Sequence, residues 1–355
     1  MEYFKKYHSN TLAGSGNQHF FINEKGVTTA CMLYKLTEGG NFPYSFLFSN
    51  IIDSTYSSGK ISHKNLVLDS WEIHSLRVGI TDFCDENGFK KPSDIKDVLF
   101  DGKKRKTVSP AELFCTDPVM LLAKAGEYVY LEITFSGKTI PYHHESIIPS
   151  FVKADENWEK SNFHPFPSMI GAELLPKKKI AFLGDSITQG LGTPVNSYSH
   201  WNAVFANALK GGYSYWNLGL GFGRAEDAAS DGIWLFKAKQ NDIVFVCFGV
   251  NDIIRNFNAE TINTYLQIIV DKLKAAGTFV IVQTVPPFEL CKEHRAVWYK
   301  VNKFIQNELL GADFIFDCAE FLADKNGDPI YGGHPNAEGC KLWGEALFKA
   351  LKEVI

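Results

Sequence analysis

The stretch from residue 180 to residue 190 contains a serine that could act as a nucleophile. It reads Ile-Ala-Phe-Leu-Gly-Asp-Ser-Ile-Thr-Gln-Gly, an apolar run that predicts a buried strand and is broken by Gly184. Asp185 and Ser186 then lie in the turn that leaves the strand. Open α/β sheets bind ligands outside the carboxyl ends of their strands. This position makes Ser186 a candidate nucleophile, although a Gly-Asp-Ser sequence alone is also typical of a simple turn.

A serine hydroxyl is a weak nucleophile at neutral pH and needs a base within hydrogen-bond reach. The chain has ten histidines, and His334 has the most distinctive setting among them. It follows Gly332-Gly333 and precedes Pro335, directly before the last predicted helix, which Asn336 would cap. We therefore take His334 as the candidate base.

The attacked carbonyl becomes an oxyanion, which needs hydrogen-bond donors. Asn251 follows the apolar strand predicted for 242–248, so it belongs to the same edge of the sheet as Ser186. Its neutral amide N–H is a suitable donor. The neighbouring Asp252 carries the wrong charge for this task and is expected to cap or brace the turn. We assign Asn251 to the oxyanion hole.

From residue 178 onward, apolar strands alternate with amphipathic helices, which predicts a parallel sheet with helices on both sides. Residues 198–209 and 259–276 each place their apolar side chains on one helical face. The predicted strands are 180–184, 213–217, 242–248, 278–284 and 312–318.

The first part of the chain has a different pattern. Residues 1–140 contain short apolar alternations separated by turn signals, as in the run 128–135, and predict a β-sandwich of the jelly-roll type. Residues 141–176 contain five prolines and few regular periods, so we expect a linker and interface segment there. The predicted organisation is a β-domain at 1–140, the linker at 141–176 and a catalytic domain at 177–355.

Composition excludes several classes of function. The 355 residues suit about two domains, and a net charge of −4 with no basic stripe argues against nucleic-acid binding. The N-terminus lacks the apolar core of a secretory signal, and no apolar run is long enough for a membrane span. The sequence thus predicts a cytoplasmic protein with no membrane partner.

The cysteine and histidine spacings predict no metal or other cofactor. Seven widely spaced cysteines include no Cys-x-x-Cys pair, so we expect reduced core residues. His143 and His144 are adjacent and would point to opposite faces of a strand. A surface or interface role is expected for them rather than metal binding.

Four sequence blocks in order resemble the SGNH (or GDSL) hydrolase family over residues 178–355. The resemblance implies a flavodoxin-like three-layer α/β/α fold, with Ser186 as nucleophile, His334 as base, and Ser186, Asn251 and a second-block residue in the oxyanion hole. The blocks are Gly184-Asp185-Ser186, Asn217 to Arg224, Gly249-Val250-Asn251-Asp252, and Gly332 to Asn336.

Two positions depart from the family pattern. Phe222 occupies the place of the oxyanion glycine, between Gly221 and Gly223, so the backbone donor is either Phe222 or a glycine reached by a shifted loop. Tyr331 occupies the place of the triad aspartate. His334 would then be oriented either by a backbone carbonyl, as in a Ser-His dyad, or by Asp328 as a third member.

The β-rich half is similar to the N-terminal domain of some two-domain SGNH carbohydrate esterases. The resemblance implies a serine esterase that removes a small acyl group, most simply acetyl, from a carbohydrate or glycoside through an acyl-serine intermediate. Two alternatives stay open: a lysophospholipase or thioesterase, and a ligand-binding protein on a hydrolase fold that has lost its activity. The substrate is expected to be a small-molecule or saccharide ester, and the sequence predicts no oligomeric state.

Overall fold

The computed structural model describes residues 1–14, 16–54, 65–209 and 211–355. These residues form two compact units. The first contains Met1–Asp53, Asn65–Pro176 and Ser214–Trp216, and the second contains the described residues of Ser54–Lys64, Lys177–Tyr213 and Asn217–Ile355.

The first unit is built from antiparallel strands, as predicted for the N-terminal half. Strand β10 lies centrally, and its alternate residues Val129, Leu131, Ile133 and Phe135 are fully buried. The elements are α1 Tyr3–Lys6, β1 His8–Ser9, β2 His19–Ile22, β3 Thr28–Lys35, β4 Gly40–Ser49, β5 Trp71–Thr81, β6 Ile95–Val98, β7 Lys106–Val108, β8 Leu113–Cys115, β9 Val119–Ala123, β10 Tyr128–Ser136, β11 Thr139–Tyr142, β12 Ser150–Ala154, β13 Asn157–Lys160 and β14 Met169–Ala172.

Two larger sheets and one pair of strands are present in the described part of this unit. One sheet has the order β1-β14-β4-β8, with β9 also pairing with β4, and the other has the order β13-β12-β3-β10-β5-β6, with β7 on β5. Strands β11 and β2 form the pair. This confirms an antiparallel β architecture, whereas the jelly-roll connectivity stays a prediction.

Residues 141–176, expected from their prolines to be a linker and interface segment, contain regular strands instead. Strand β12 pairs with β3 and β14 pairs with β4, so the segment adds strands to both larger sheets. Four of its five prolines lie outside the strands, where the missing N–H costs no ladder hydrogen bond. These four prolines therefore lie in the connections between strands, and Pro141 lies within β11.

His143 also differs from expectation. The sequence favours a surface or interface role for His143 and His144, but His143 is buried, with its ring near that of Phe166. His144 is half-buried, and its Nδ1 lies 3.0 Å from the Tyr142 hydroxyl. Within the described ranges, no group of three His, Cys, Asp or Glu side chains is arranged to hold a metal ion.

The second unit alternates strands and helices. Its five-stranded sheet has the order β16-β15-β17-β18-β19, and the registers of β15, β17, β18 and β19 are parallel. In chain order this is 2-1-3-4-5, the flavodoxin-like arrangement that was predicted. The elements are β15 Lys178–Gly184, α2 Ser186–Gln189, α3 Trp201–Leu209, β16 Tyr213–Gly219, α4 Ala225–Ala229, α5 Ile233–Ala238, β17 Ile243–Cys247, α6 Val250–Ile254, α7 Ala259–Ala275, β18 Phe279–Gln283, α8 Lys292–Asn307, β19 Phe314–Phe316, α9 Ala319–Leu322 and α10 Ala337–Leu351.

Helices α3 and α10 pack closely against each other. The indole rings of Trp201 and Trp343 stack at 4.6 Å, and both side chains are fully buried. A Cβ atom on Gly344 would lie only 2.6 Å from the Trp201 carbonyl oxygen, so glycine permits the close approach. This contact fixes α10 directly behind the turn that carries His334.

Of the helices in the described ranges, none combines the length and the apolar character needed to cross a bilayer.

Candidate active site

The turn after β15 places Ser186 at the carboxyl end of the strand, as its sequence predicts. Asp185 caps the short helix α2, because its Oδ1 accepts a hydrogen bond of 3.0 Å from the Ile187 N–H. A Cβ on Gly184 would lie 2.1 Å from Thr188 Oγ1 and 2.6 Å from the Cys247 carbonyl oxygen. Only glycine fits at this position, where the chain leaves the strand. Helix α2 then begins at Ser186.

The structure brings Ser186 and His334 together across 148 residues of sequence, with Ser186 Oγ 2.8 Å from His334 Nε2. Ser186 is only 8% exposed, so little water competes for this contact. A hydroxyl hydrogen bonded to an imidazole nitrogen is the arrangement that general-base activation requires.

Packing holds the His334 ring in place. The ring of Phe288 meets it edge to face at 5.5 Å and 82°. On the backbone side, Gly192 has φ +93°, and a Cβ there would lie 2.6 Å from the His334 carbonyl oxygen. The histidine turn is therefore held between an aromatic side chain and a close-packed glycine.

The electrostatics around His334 favour the neutral imidazole. Burial lowers the pKa of His334 below its ordinary value, while the negative charge of Glu289 acts in the opposite direction. A neutral imidazole at neutral pH is the form that can accept a proton from Ser186.

Neither orienting group that the sequence offers for His334 is in contact with its ring. Among the described residues, the bond to Ser186 is the one hydrogen bond that this ring forms. Asp328 directs both carboxylate oxygens at Arg295, with Oδ2 3.1 Å from Nη1. The Tyr331 carbonyl accepts from the Asn336 N–H at 3.1 Å and so closes the turn around the histidine.

Asn251 lies at the same edge of the sheet. Its Nδ2 donates to the Gly223 carbonyl at 3.0 Å and lies 3.5 Å from Asp185 Oδ2. Asp252 accepts from the Ala225 and Glu226 N–H groups at 2.9 and 3.3 Å. The carboxylate thus caps helix α4, whereas the sequence predicts that it caps or braces its own turn.

The second block forms a tight loop beside α2. The Gly221 N–H donates to Gln189 Oε1 at 2.7 Å, and the Gly223 N–H donates to the Leu220 carbonyl at 3.1 Å. Phe222 between them has φ +60°, in the left-handed region that non-glycine residues seldom adopt. The backbone is therefore strained at the position where the family has its glycine.

Gln189 is a site residue that sequence reasoning missed. It is fully buried, and its side chain fixes the Gly221 N–H while α2 packs closely on Gly219. A Cβ on Gly219 would lie 2.2 Å from the Gln189 backbone nitrogen. The sequence offers one weak signal, because Gln189 is polar and lies two positions after an apolar residue of the nucleophile turn. Without knowledge of the loop that it contacts, this signal does not indicate a functional role.

The two carboxyl groups that cap helices α2 and α4, those of Asp185 and Asp252, are buried. Burial raises the pKa of Asp185 to about 7, and the charge of Asp252 adds to the effect. Burial likewise raises the pKa of Asp252 to about 7, although it accepts two backbone hydrogen bonds. Both groups therefore titrate near neutral pH in the folded protein.

Three solved structures illustrate what the chain resembles. A family two carbohydrate esterase from Clostridium thermocellum, in complex with cellohexaose, has 13% identity and a TM-score of 0.43 and covers 98% of each chain. A family two carbohydrate esterase from Cellvibrio japonicus has 13% identity and a TM-score of 0.41, covering 98% of this chain and 96% of its own. A member of the lipolytic protein G-D-S-L family from Veillonella parvula has 18% identity and a TM-score of 0.42, covering 50% of this chain and 99% of its own.

No curated protein matches the sequence. A model of the GDSL-like Lipase/Acylhydrolase family matches residues 182–342, a range that includes Ser186, Asn251 and His334. The chain therefore carries, over residues 182–342, an ester hydrolase domain of the GDSL-like lipase/acylhydrolase family.

Proposed function

We propose that this protein is a serine esterase that removes an acetyl group from a carbohydrate or glycoside through an acyl-serine intermediate. The observation that carries the catalytic part is the 2.8 Å hydrogen bond between Ser186 Oγ and His334 Nε2. The acetyl and saccharide parts extend the resemblance of the sequence to two-domain carbohydrate esterases.

The reaction follows from the chemistry of the pair. Ser186 Oγ attacks the ester carbonyl while its proton passes to His334 Nε2. His334 then gives that proton to the sugar oxygen as its bond to the acyl carbon breaks, which releases the sugar hydroxyl and leaves an acyl-serine. A water molecule gives a proton to His334 as it attacks the acyl carbon. The bond between that carbon and Ser186 Oγ then breaks, and His334 returns the proton to Oγ, so that acetic acid is released and the Ser186 hydroxyl is restored.

The proposed oxyanion hole combines three donors. Ser186 begins α2, and within the described ranges no residue accepts its backbone N–H. We place the second donor at the Phe222 N–H, because Phe222 stands at the family's glycine position and its φ of +60° keeps a glycine-like backbone there. Asn251 Nδ2 has two N–H bonds, so it can keep the Gly223 carbonyl with one and exchange its long, 3.5 Å contact with Asp185 Oδ2 for the oxyanion with the other.

A comparison of esters tests the substrate proposal. We expect hydrolysis of p-nitrophenyl acetate to exceed that of p-nitrophenyl octanoate in kcat/KM, and we expect acetate release from acetylated cello-oligosaccharides or xylan. A preference for octanoate, lysophosphatidylcholine or an acyl thioester would instead favour the lysophospholipase or thioesterase alternative. No turnover of any ester by folded protein would favour a ligand-binding protein.

We further propose that the protein works in a reducing compartment such as the cytoplasm. Its seven cysteines are thiols outside any disulfide, and Cys31, Cys247, Cys318 and Cys340 are at most 1% exposed. Fractionation of native cells, followed by thiol counting on the recovered protein, tests this location. Disulfide-bonded protein recovered from an extracellular fraction would contradict it.

A further inference from the structure

We propose that Glu289 is a positioning residue for His334 and supplies, from the loop after β18, the carboxylate that the family's aspartate would otherwise provide. This inference rests on the proposed esterase function. Glu289 touches neither Ser186 nor the substrate carbonyl in this role, and it acts through the imidazole alone.

The loop carrying Glu289 lies directly on the histidine turn. The ring of Phe288 contacts the His334 ring, and a Cβ on Gly333 would lie 2.9 Å from Phe288 Cδ2 and 3.3 Å from Glu289 Oε2. A carboxylate oxygen of Glu289 thus lies next to Gly333, the residue that precedes His334. The electrostatic effect of Glu289 on His334 agrees with this placement, because it raises the pKa of the imidazole.

The charge of Glu289 is available to His334, whereas that of Asp328 is not. Glu289 is exposed and, within the described ranges, forms no ion pair. Asp328 forms a two-point pair with Arg295, whose positive charge offsets its own. Of the two carboxylates, Glu289 is therefore the one that can favour an imidazolium at residue 334.

Arg295 connects the two loops. Its Nη2 reaches the Leu290 carbonyl at 3.4 Å as well as Asp328, and its Nη1 donates to the Asn326 carbonyl at 3.1 Å. The Leu290 N–H in turn donates to the Phe288 carbonyl at 2.8 Å. In this arrangement, Asp328 anchors the loop that presents Glu289 and has no direct contact with the histidine.

A carboxylate near His334 lowers the energy of the transition state, because the imidazole becomes positively charged there. Glu289 is exposed, so water and salt screen its effect, and we expect a modest contribution. A buried triad aspartate is worth far more, about 10⁴-fold in kcat when it is replaced by asparagine.

The test is Glu289→Gln, which keeps the shape of the side chain and removes its charge. We expect kcat for p-nitrophenyl acetate to fall about two- to fivefold, the scale of an exposed charge pair. The acidic limb of kcat/KM should move to lower pH, since the imidazole loses the charge that raises its pKa. In about 1 M NaCl, where the Debye length is about 3 Å, both differences from wild type should shrink.

Asp328→Asn is the matched control. We expect it to move the acidic limb less than Glu289→Gln does, because Asp328 faces Arg295 and affects His334 only through the loop that Arg295 holds. Melting and circular dichroism of Glu289→Gln should equal wild type, since the side chain is exposed. A Glu289→Asp variant, which retains the charge, should keep the acidic limb of the wild type.

An unshifted acidic limb in Glu289→Gln would overturn the proposal. A shift on Asp328→Asn, with a loss near 10⁴-fold, would assign the role to Asp328 as a displaced triad. Ser186→Ala separates these results from failure of the proposed function, because an active Ser186→Ala protein would refute the esterase mechanism itself.

Discussion

At the scale of single residues, the proposed catalytic pair requires that the His334 imidazole be neutral when Ser186 gives up its proton. His334 is half-buried, and this burial lowers the pKa of its imidazole. The unprotonated ring can accept the proton of Ser186, and the later imidazolium relies on nearby negative charge. We therefore expect the opposing effects of burial and of the Glu289 charge on the pKa of His334 to set the acidic limb of activity.

His334→Ala should lower kcat by about 10³-fold or more, because Ser186 loses its base. The Ser186→Ala, His334→Ala double variant should lose little beyond either single change, since residues that act as one unit are not additive. Steady-state kinetics on the three variants measure this. Losses that multiply would show that the two side chains do not act together.

Asn251→Ala should lower kcat by about 10²- to 10³-fold, the usual cost of one oxyanion donor, with a smaller effect on KM. Because Asn251 also donates to the Gly223 carbonyl, part of the loss can come from the second-block loop. Gln189→Ala provides a comparison, since it releases the Gly221 N–H without removing the proposed donor. A change confined to KM in Asn251→Ala would assign that residue to ground-state binding.

The local sequence around Ser186 and His334 was sufficient to predict that the two side chains lie together, because each lies in a turn of distinctive composition. Their surroundings could not be predicted in the same way. Arg295 pairs with Asp328 from 33 residues away, and the loop of Phe288 meets the His334 ring only after folding. Such contacts depend on tertiary packing and leave no periodic signal in the sequence.

At the scale of elements, glycines determine how closely the active-site turns approach each other. Gly192 has φ +93° and packs on the His334 carbonyl. Gly277 has φ +81°, and among the described residues no atom beyond its chain neighbours would lie within 4 Å of an added Cβ. The two share a left-handed backbone but differ in their surroundings. Alanine substitutions at the two positions therefore distinguish the effect of backbone strain from that of a steric clash.

Gly192→Ala should reduce kcat by at least tenfold, because a 1 Å displacement of a catalytic group can cost about 10²-fold. The added Cβ would meet the His334 carbonyl at 2.6 Å, so the histidine turn must move. Gly277→Ala should carry only the strain of a left-handed alanine, about 1–2 kcal/mol of stability, with activity unchanged. Equal activity in the two variants would contradict the role of Gly192.

The predicted strands and helices of the second unit closely match the structure because their periodicity is strong. The strand predicted for 242–248 is Ile243–Cys247, and the helix predicted for 259–276 is Ala259–Ala275. The segment 141–176 was misjudged because prolines at strand ends resemble those of a linker. Its strands are short, and their pairing partners are distant in sequence, so neither periodicity nor length identified them.

At the scale of the whole molecule, stability should respond to pH through the buried carboxyl groups. Asp252 has an ordinary pKa of 3.8 and a folded pKa of about 7, so the folded state holds a proton that the unfolded state releases between these values. Its contribution to the free energy of unfolding is fully present below the ordinary pKa. That contribution declines as pH rises toward the folded value and is lost above it.

Asp252→Asn removes this titration while keeping one oxygen to cap helix α4. The free energy of unfolding of the variant, measured relative to that of wild type, should therefore increase as pH rises from about 5 to about 8. Urea denaturation at several pH values measures the difference. A difference that does not change with pH would show that Asp252 titrates with its ordinary pKa.

In the proposed mechanism Ser186 forms the covalent intermediate, and peptide mass spectrometry after active-site labelling can identify the residue that does so. Wild-type protein treated with an activated alkyl phosphonate ester should lose esterase activity in step with labelling of the peptide that contains Ser186. His334→Ala should label far more slowly, because the hydroxyl lacks its base. Complete inactivation with the label on another residue, or full activity retained by protein labelled at Ser186, would contradict the mechanism.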